Sequence, residues 1–239
     1  MLSFMRSMGK LVLVRHGESR WNVRNRFSGW VDVPLSENGI REAERCAVHC
    51  EKYNFSAVFT SALERTHVTA SIILSRQNRN GIIQHEEQQR YRKWTMQSNI
   101  ITRGDIPIYE SVVLNERFYG DLQGMDKRQA EKVYGKKQVF AWRRGFSDKP
   151  PGGESLKQTF MRIHPYFDAR IVPRIAKSET VLISGHGNTL RAIIRHIEDI
   201  PTEDIVNIDL PEARPLVYEY RRGTFVRIAG EYRLNRPLR

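Results

Sequence analysis

Short apolar runs, each stopping at a polar turn, recur along this chain. Leu11-Val12-Leu13-Val14 and Val181-Leu182-Ile183 are continuous and too short for helices, the pattern of strands buried on both faces of a parallel sheet. Ser56 to Thr60 predicts a further short strand and Val112-Val113-Leu114 a brief one, while Leu216 to Tyr220 and Thr224 to Ile228 form a closing hairpin around Arg221-Arg222-Gly223. Between these runs the period lengthens. Ser36 caps a helix whose Ile40, Ala43 and Ala47 recur at helical spacing, and Ser61-Ala62-Leu63-Glu64 carries a capping-box pattern for the next. One helix is predicted from Lys127 to Arg144, stopped by Gly145 and the Pro150-Pro151-Gly152-Gly153 turn. Another opens near Glu154-Ser155 and bends at Pro165, and a last runs from about Thr189 to His196. Gln77 to Pro107 has weak periodicity and reads as an insertion or lid. Strands alternating with helices predict an α/β fold, a three-layer α/β/α sandwich around a mainly parallel central sheet of about six strands.

Two of the strand-like runs end at a histidine, in Arg15-His16-Gly17 and in Ser184-Gly185-His186-Gly187-Asn188. Open α/β sheets keep their ligand sites at the carboxyl edge of parallel strands. A lone histidine there is ordinarily a satisfied core residue. Two in one setting, each followed by Gly and one preceded by Arg, make a candidate site. Arginines give that site its chemistry. Arg15, Arg65 in the first turns after the second strand, and Arg143-Arg144 offer planar forks that match phosphate or carboxylate oxygens. Among such arginines a histidine can act as a nucleophile and carry a phosphoryl group. The second histidine would stabilise the charge on the transferring oxygens, and Glu116, after the third strand, is the candidate acid for the leaving oxygen. No third group at metal-ligand spacing accompanies His16 and His186, and Arg15 would repel a cation, so no metal is expected. Cys46-x-x-His49-Cys50 places its thiols one helical turn apart, where they serve a core. Neither a Gly-x-x-x-x-Gly-Lys loop nor a Gly-x-Gly-x-x-Gly turn is present to cradle a nucleotide.

The 239 residues are 40% apolar, enough for one core, and no Pro/Gly/Ser-rich linker divides them. The net charge of +12 points to an anionic partner. Arg76 to Arg103 has six basic and two acidic residues and Arg214 to Arg239 seven and two, so the two segments hold +4 and +5 of that excess. Neither sets its charge on a basic helix or among stacking aromatics, so a small anion is expected rather than nucleic acid. No apolar run reaches the roughly 20 residues of a membrane span. With two cysteines only, the expectation is a cytoplasmic protein without a membrane partner.

Several segments together resemble the cofactor-dependent phosphoglycerate mutases of the histidine phosphatase superfamily. They are Leu11 to Ser19, Trp21-Asn22, Phe27 to Asp32, Pro34-Leu35-Ser36 with Gly39, and Thr60 to Thr66. Leu114 to Gly124, Trp142-Arg143-Arg144, Gly153 to Leu156 and Ser184 to Arg191 complete them, so the likeness covers most of residues 10 to 220. Arg-His-Gly marks the wider superfamily, whereas Asn-Glu-Arg-x-Tyr-Gly-x-Leu-Gln-Gly with Trp-Arg-Arg is far more specific to the mutases. The resemblance implies interconversion of 3-phosphoglycerate and 2-phosphoglycerate, primed by 2,3-bisphosphoglycerate, in one mutase-like catalytic domain over residues 1–239. It implies His16 as the phosphorylated nucleophile and Glu116 as proton donor and acceptor, with Arg15, Arg65, His186, Asn22 and Gly187 holding the transferring group. Ser28, Gly29, Tyr119, Lys127, Arg143, Arg144 and Asn188 would hold the rest of a small phosphorylated carboxylate. A homodimer and a homotetramer are both open.

Three departures stand out against that family. The 51 positions from Arg65 to Glu116 are far more than usual and contain a basic insertion at about 76–110, the stretch between Arg144 and Gly153 is short, and the basic tail after Ile228 lacks a covering segment. A trimmed border admits water, which raises a phosphatase acting on bisphosphoglycerate or other small phosphoesters as the first rival. An inactive, basic binding protein on the same fold is the second. The insertion is expected to replace part of the lost cover and to draw in anionic substrate.

Overall fold

The computed structural model describes residues 8–77, 79–85 and 105–234. At its centre β1 (Lys10–Arg15) pairs in parallel with β5 (Thr180–Gly185), Arg15 opposite Gly185. Outward from β5 lie β2 (Ala57–Thr60), β4 (Ile106–Glu110) and β3 (Gly81–His85), all parallel. On the other side β7 (Leu216–Arg221) runs antiparallel to β1, and β8 (Thr224–Ala229) antiparallel to β7. The order is β3-β4-β2-β5-β1-β7-β8, a mostly parallel sheet of seven strands. A separate two-stranded piece joins β6 (Ile208–Asp209) to β9 (Arg233–Leu234).

Alternation along β1 assigns its side chains to two helical layers. Leu11 and Leu13, with Val181 and Ile183, pack against α6 (Leu156–Tyr166), α7 (Val172–Ala176) and α8 (Gly187–Glu198). Val12 and Val14, with Val58 and Leu182, pack against α2 (Glu37–Cys50) and α3 (Glu64–Ser75). Each such buried aliphatic contributes about 1.5–3 kcal/mol, and together they fix the level at which both histidine-bearing strands end. A third cluster, Phe27, Leu122, Ala130, Val139 and Trp142, sits under α4 (Lys127–Tyr134) and α5 (Lys136–Arg144). Among the described residues no helix is long and apolar enough to cross a membrane.

Several local expectations are corrected. Val112–Leu114 is a 3-10 turn capped by the Ser111 hydroxyl, and the third strand lies just before it. Pro107 disguises that strand, because proline is rare inside a ladder. Gly81–His85 supplies the sheet edge within the stretch read as an insertion, which is why there are seven strands and not six; residues 86–104, with most of its basic charge, lie outside the described residues. The single helix from Lys127 to Arg144 is two, divided where Gly135 takes φ +83, a conformation that suits glycine. Past Pro165, where the sequence predicts a bend, the helix goes on through a π-helical turn at Phe167–Ile171 into α7; the N–H missing at proline loosens the ladder there. Ile40 faces solvent, and α2 is buried through Gly39, Ala43, Cys46, Ala47 and Cys50. The two thiols lie 4.0 Å apart in the core.

Candidate active site

Parallel pairing of β1 and β5 brings both histidines to one carboxyl edge. The His16 amide bonds Gly185 O at 3.0 Å, and the two imidazoles stand edge to face with centroids 5.1 Å apart. His16 Nδ1 donates to Gly17 O at 2.7 Å. Because a carbonyl only accepts, the proton of the neutral ring sits on Nδ1 and the lone pair on Nε2. Burial, then the charges of Arg65 and Arg15, hold His16 well below the ordinary histidine pKa, so Nε2 is a free nucleophile at neutral pH. The loop after it is fixed by close backbone packing, since a Cβ on Gly39 would lie 2.0 Å from Glu18 O.

His186 is fully buried behind His16 and is likewise held well below its ordinary pKa, first by burial and then by Arg65. Its Nε2 lies 2.8 Å from Ser61 Oγ, and its Nδ1 is buried without a partner. When Ser61 donates to Nε2, Nδ1–H is the donor left over for an incoming oxygen. Ser61 does not cap α3, although its sequence context suggests it: Leu63 is the N-cap and makes no side-chain cap bond, and the serine oxygen accepts from Leu63 N and bonds Thr66 Oγ1 at 2.8 Å. Tertiary position has redirected a capping residue to orient a histidine.

Arg65 is 1% exposed and spends both terminal nitrogens on backbone, Nη2 on Gly29 O at 2.8 Å and Nη1 on Val31 O at 3.0 Å. Burial lowers it to about 10, against the opposing pull of Glu116 and Asp32, so it is charged at neutral pH. Arg15 bonds Leu210 O through Nη1 at 2.7 Å and Glu212 through Nη2 at 2.6 Å. Buried donors without a partner remain at Arg15 Nε, Arg65 Nε and Ser28 Oγ. Buried donors are almost always satisfied, so three open ones around a single cavity describe a receptor for oxygen atoms.

Glu116 is oriented from several sides. Its Oε1 accepts from Arg117 N at 2.7 Å and from Asn188 N, at the start of α8, at 3.2 Å, while its carbonyl accepts from Trp30 Nε1 at 2.5 Å. Arg162, paired with Glu154 at 3.0 Å, clasps the turn carrying Glu116 by donating to Val113 O and Asn115 O. A Cβ on Gly187 would lie 3.7 Å from Arg15 Nε and 3.8 Å from Glu116 Oε2, so the space above that glycine belongs to both groups.

The cavity measures about 150 Å³ and is lined by Arg15, His16, Asn22, Ser28, Gly29, Arg65, Glu116, Tyr119, Lys127, Arg143, Arg144, Gly187 and Asn188. Every residue expected in the site from sequence lines it, except His186, which supports it from behind. Asn22 is held by a reciprocal capping box with Ser19. Burial pushes the Tyr119 phenol up, but the adjacent Arg117 guanidinium and the hydrogen bonds from Arg117 and Asn188 together outweigh it and bring it below its ordinary value. Lys127 is lowered by burial and by Arg143. Arg26, Arg191, Ile208, Asp209 and Leu210 also line the cavity and were missed. Arg191 had a signal, one turn after Asn188 on α8, and it donates to Asn188 Oδ1 at 3.0 Å; burial, then Arg117, lowers it to about 9. The other four had none, because only tertiary packing brings them to the strand ends. With seven cationic residues against Glu116 and Asp209 in the wall, the cavity suits a multiply charged anion. Among the described residues no cluster of three or more His, Cys, Asp or Glu could hold a metal.

The sequence profile of the histidine phosphatase superfamily (branch 1) matches residues 11–98 and 92–229. The 2,3-bisphosphoglycerate-dependent phosphoglycerate mutase of Methanosarcina acetivorans is 41% identical over 94% of this chain and 96% of its own length. The 2,3-bisphosphoglycerate-dependent phosphoglycerate mutase 1 of Gloeobacter violaceus is 42% identical over 89% and 94%. The chain belongs to the cofactor-dependent phosphoglycerate mutases of the histidine phosphatase superfamily. Solved structures agree on the family fold: one described as mycobacterial hydrolase 1 superposes with a TM-score of 0.74 at 21% identity, covering 92% of this chain and 97% of that one. YhfR of Bacillus stearothermophilus gives 0.68 at 27%, covering 91% and 94%.

Proposed function

We propose that the protein interconverts 3-phosphoglycerate and 2-phosphoglycerate through a phosphoryl group carried on His16 Nε2, and that 2,3-bisphosphoglycerate primes it. The observation that carries this reading is His16 itself, its Nδ1 tied to Gly17 O, which leaves Nε2 with its lone pair, and its ring within the field of the buried Arg65 and the partly buried Arg15. The bisphosphoglycerate dependence in the relatives' names supports the primer. So does the cavity, whose open donors at Arg15, Arg65 and Ser28 fit a phosphoryl group and whose Lys127, Arg143 and Arg144 fit a second anionic group. The primer, when bound, supplies the phosphoryl group that loads His16.

Phosphorylated His16 gives its phosphoryl group to one hydroxyl of the glycerate phosphate while Glu116 takes that hydroxyl's proton. Nε2 then recovers a phosphoryl group from the other position, its N–P bond forming as the substrate's P–O bond breaks, and Glu116 returns the proton to the leaving oxygen. Arg15 and Arg65 neutralise the transferring oxygens, and Asn22, His186 and the Gly187 backbone stabilise them as uncharged partners. Ser28, Gly29, Tyr119, Lys127, Arg143, Arg144 and Asn188 hold the rest of the substrate and its carboxylate.

Incubation with 2,3-bisphosphoglycerate tests this directly. The expected result is an acid-labile phosphoryl adduct, absent from His16→Ala, with 3-phosphoglycerate turnover that depends on the primer. An absent adduct overturns the mechanism, and an adduct that yields only free phosphate replaces the mutase with a phosphatase.

A further inference from the structure

One short segment fastens three of the site's cations. Arg191 Nη2 donates to Ile205 O at 2.5 Å, Arg144 meets Ile208 O and Asp209 Oδ1 at 3.3 Å each, and Arg15 meets Leu210 O at 2.7 Å and Glu212 Oε1 at 2.6 Å. The strap closes where Ala213 N donates to Arg15 O at 2.8 Å. Ala213 is buried and takes φ +44, the left-handed region that an alanine enters only when its surroundings over-determine it. That turn carries the Glu212 carboxylate out of the active cavity: Ile208, Asp209 and Leu210 line that cavity, whereas Glu212 lines a separate one.

The consequence for Arg15 is geometric and electrostatic. With Leu210 O and Glu212 holding its two terminal nitrogens, it turns Nε, buried and unpartnered, toward the space above Gly187 that it shares with Glu116. A carboxylate at 2.6 Å also cancels much of its charge as seen by a bound dianion. We infer that Glu212 is a positioning residue: it locks Arg15 in the orientation that serves phosphoryl transfer and weakens its grip on the anion so that product leaves. This rests on the reading of the cavity as a phosphoryl-transfer site.

Two variants separate the two effects. Glu212→Gln keeps an oxygen that accepts from Arg15 and removes the charge, whereas Glu212→Ala removes both. In Glu212→Gln, orthovanadate measured by calorimetry binds roughly threefold to tenfold more tightly, and kcat stays within about twofold of the parent. In Glu212→Ala, kcat falls roughly tenfold or more, because the guanidinium is free to turn. In an Arg15→Ala background, Glu212→Ala changes neither quantity further, since it acts through the missing arginine. Glu212→Ala with the parent's kcat and vanadate affinity overturns the inference, as does a Glu212→Ala loss that persists in the Arg15→Ala background. Vanadate binding requires no turnover, so a parent without mutase activity defeats the proposed function while the binding arm still judges Glu212.

Discussion

The two ends of the cavity are built by different means. At the strand ends, His16, His186 and Arg65 are buried, and their polar atoms are fixed by backbone carbonyls or by a buried hydroxyl. At the opposite end, Arg144 is held by long 3.3 Å contacts to Ile208 O and Asp209, with side chains 27% and 40% exposed. Burial with backbone partners leaves a group one orientation, whereas a half-exposed ion pair gives little energy and admits several. In the proposed mechanism the rigid end is where bonds change. The looser end would have only to hold a carboxylate that sits differently in the two isomers.

The sharpest way to break that contrast is to remove one arginine from each end. Arg65→Ala deletes a charge at the transferring oxygens and leaves Gly29 O and Val31 O without their donors. Its kcat should fall roughly 10²–10³-fold, with about 1–3 kcal/mol lost in urea unfolding. Arg144→Ala should raise KM about tenfold, leave kcat within a few-fold and unfold with the parent. Equal kcat losses in the two variants would mean that the ends do not differ in this way.

The same division explains what could be read from the chain itself. His16 and His186 were legible because a continuous apolar run ending at a polar residue places that residue at a sheet edge whatever the rest of the fold does. Arg143 and Arg144 were legible as neighbours in a distinctive motif. Ser61 was misread, because a serine three residues before a glutamate looks the same whether its hydroxyl meets a helix N–H or a distant imidazole. Asp209 and the strap it belongs to were invisible, since their role depends on contacts to Arg15 and Arg144 made across more than 60 positions. The order of the outer strands was hidden by Pro107 and by the polar segment before it, where local preference and final structure disagree.

Within the rigid end, a smaller effect separates orientation from charge. Ser61→Ala removes the hydroxyl at His186 Nε2 without touching His16 or either arginine. Adduct formation on His16 should still occur and kcat fall about tenfold, the usual range for one misaligned donor being somewhat larger, while Ser61→Thr, which restores a hydroxyl, recovers part of the loss. A kcat unchanged in Ser61→Ala would show that His186 needs no orienting partner.

The smallest expected effect concerns stability and follows from the burial of the two imidazoles. Both are held well below the ordinary histidine pKa, so as pH falls through about 6.5 the unfolded chain takes up protons that the folded chain refuses. Stability therefore drops with falling pH in this window and is restored above it, with each histidine contributing up to about 1 kcal/mol between pH 6.5 and 5.5. Urea unfolding in a phosphate-free buffer should show this slope, and His186→Gln, which cannot titrate, should show it reduced by about half of the histidine share. Inorganic phosphate should flatten it in the parent, because an anion among Arg15, Arg65 and the two rings lowers the cost of charging them. A slope the same in His186→Gln as in the parent would place the titration elsewhere and remove His186 from the buried, neutral state on which its donor role depends.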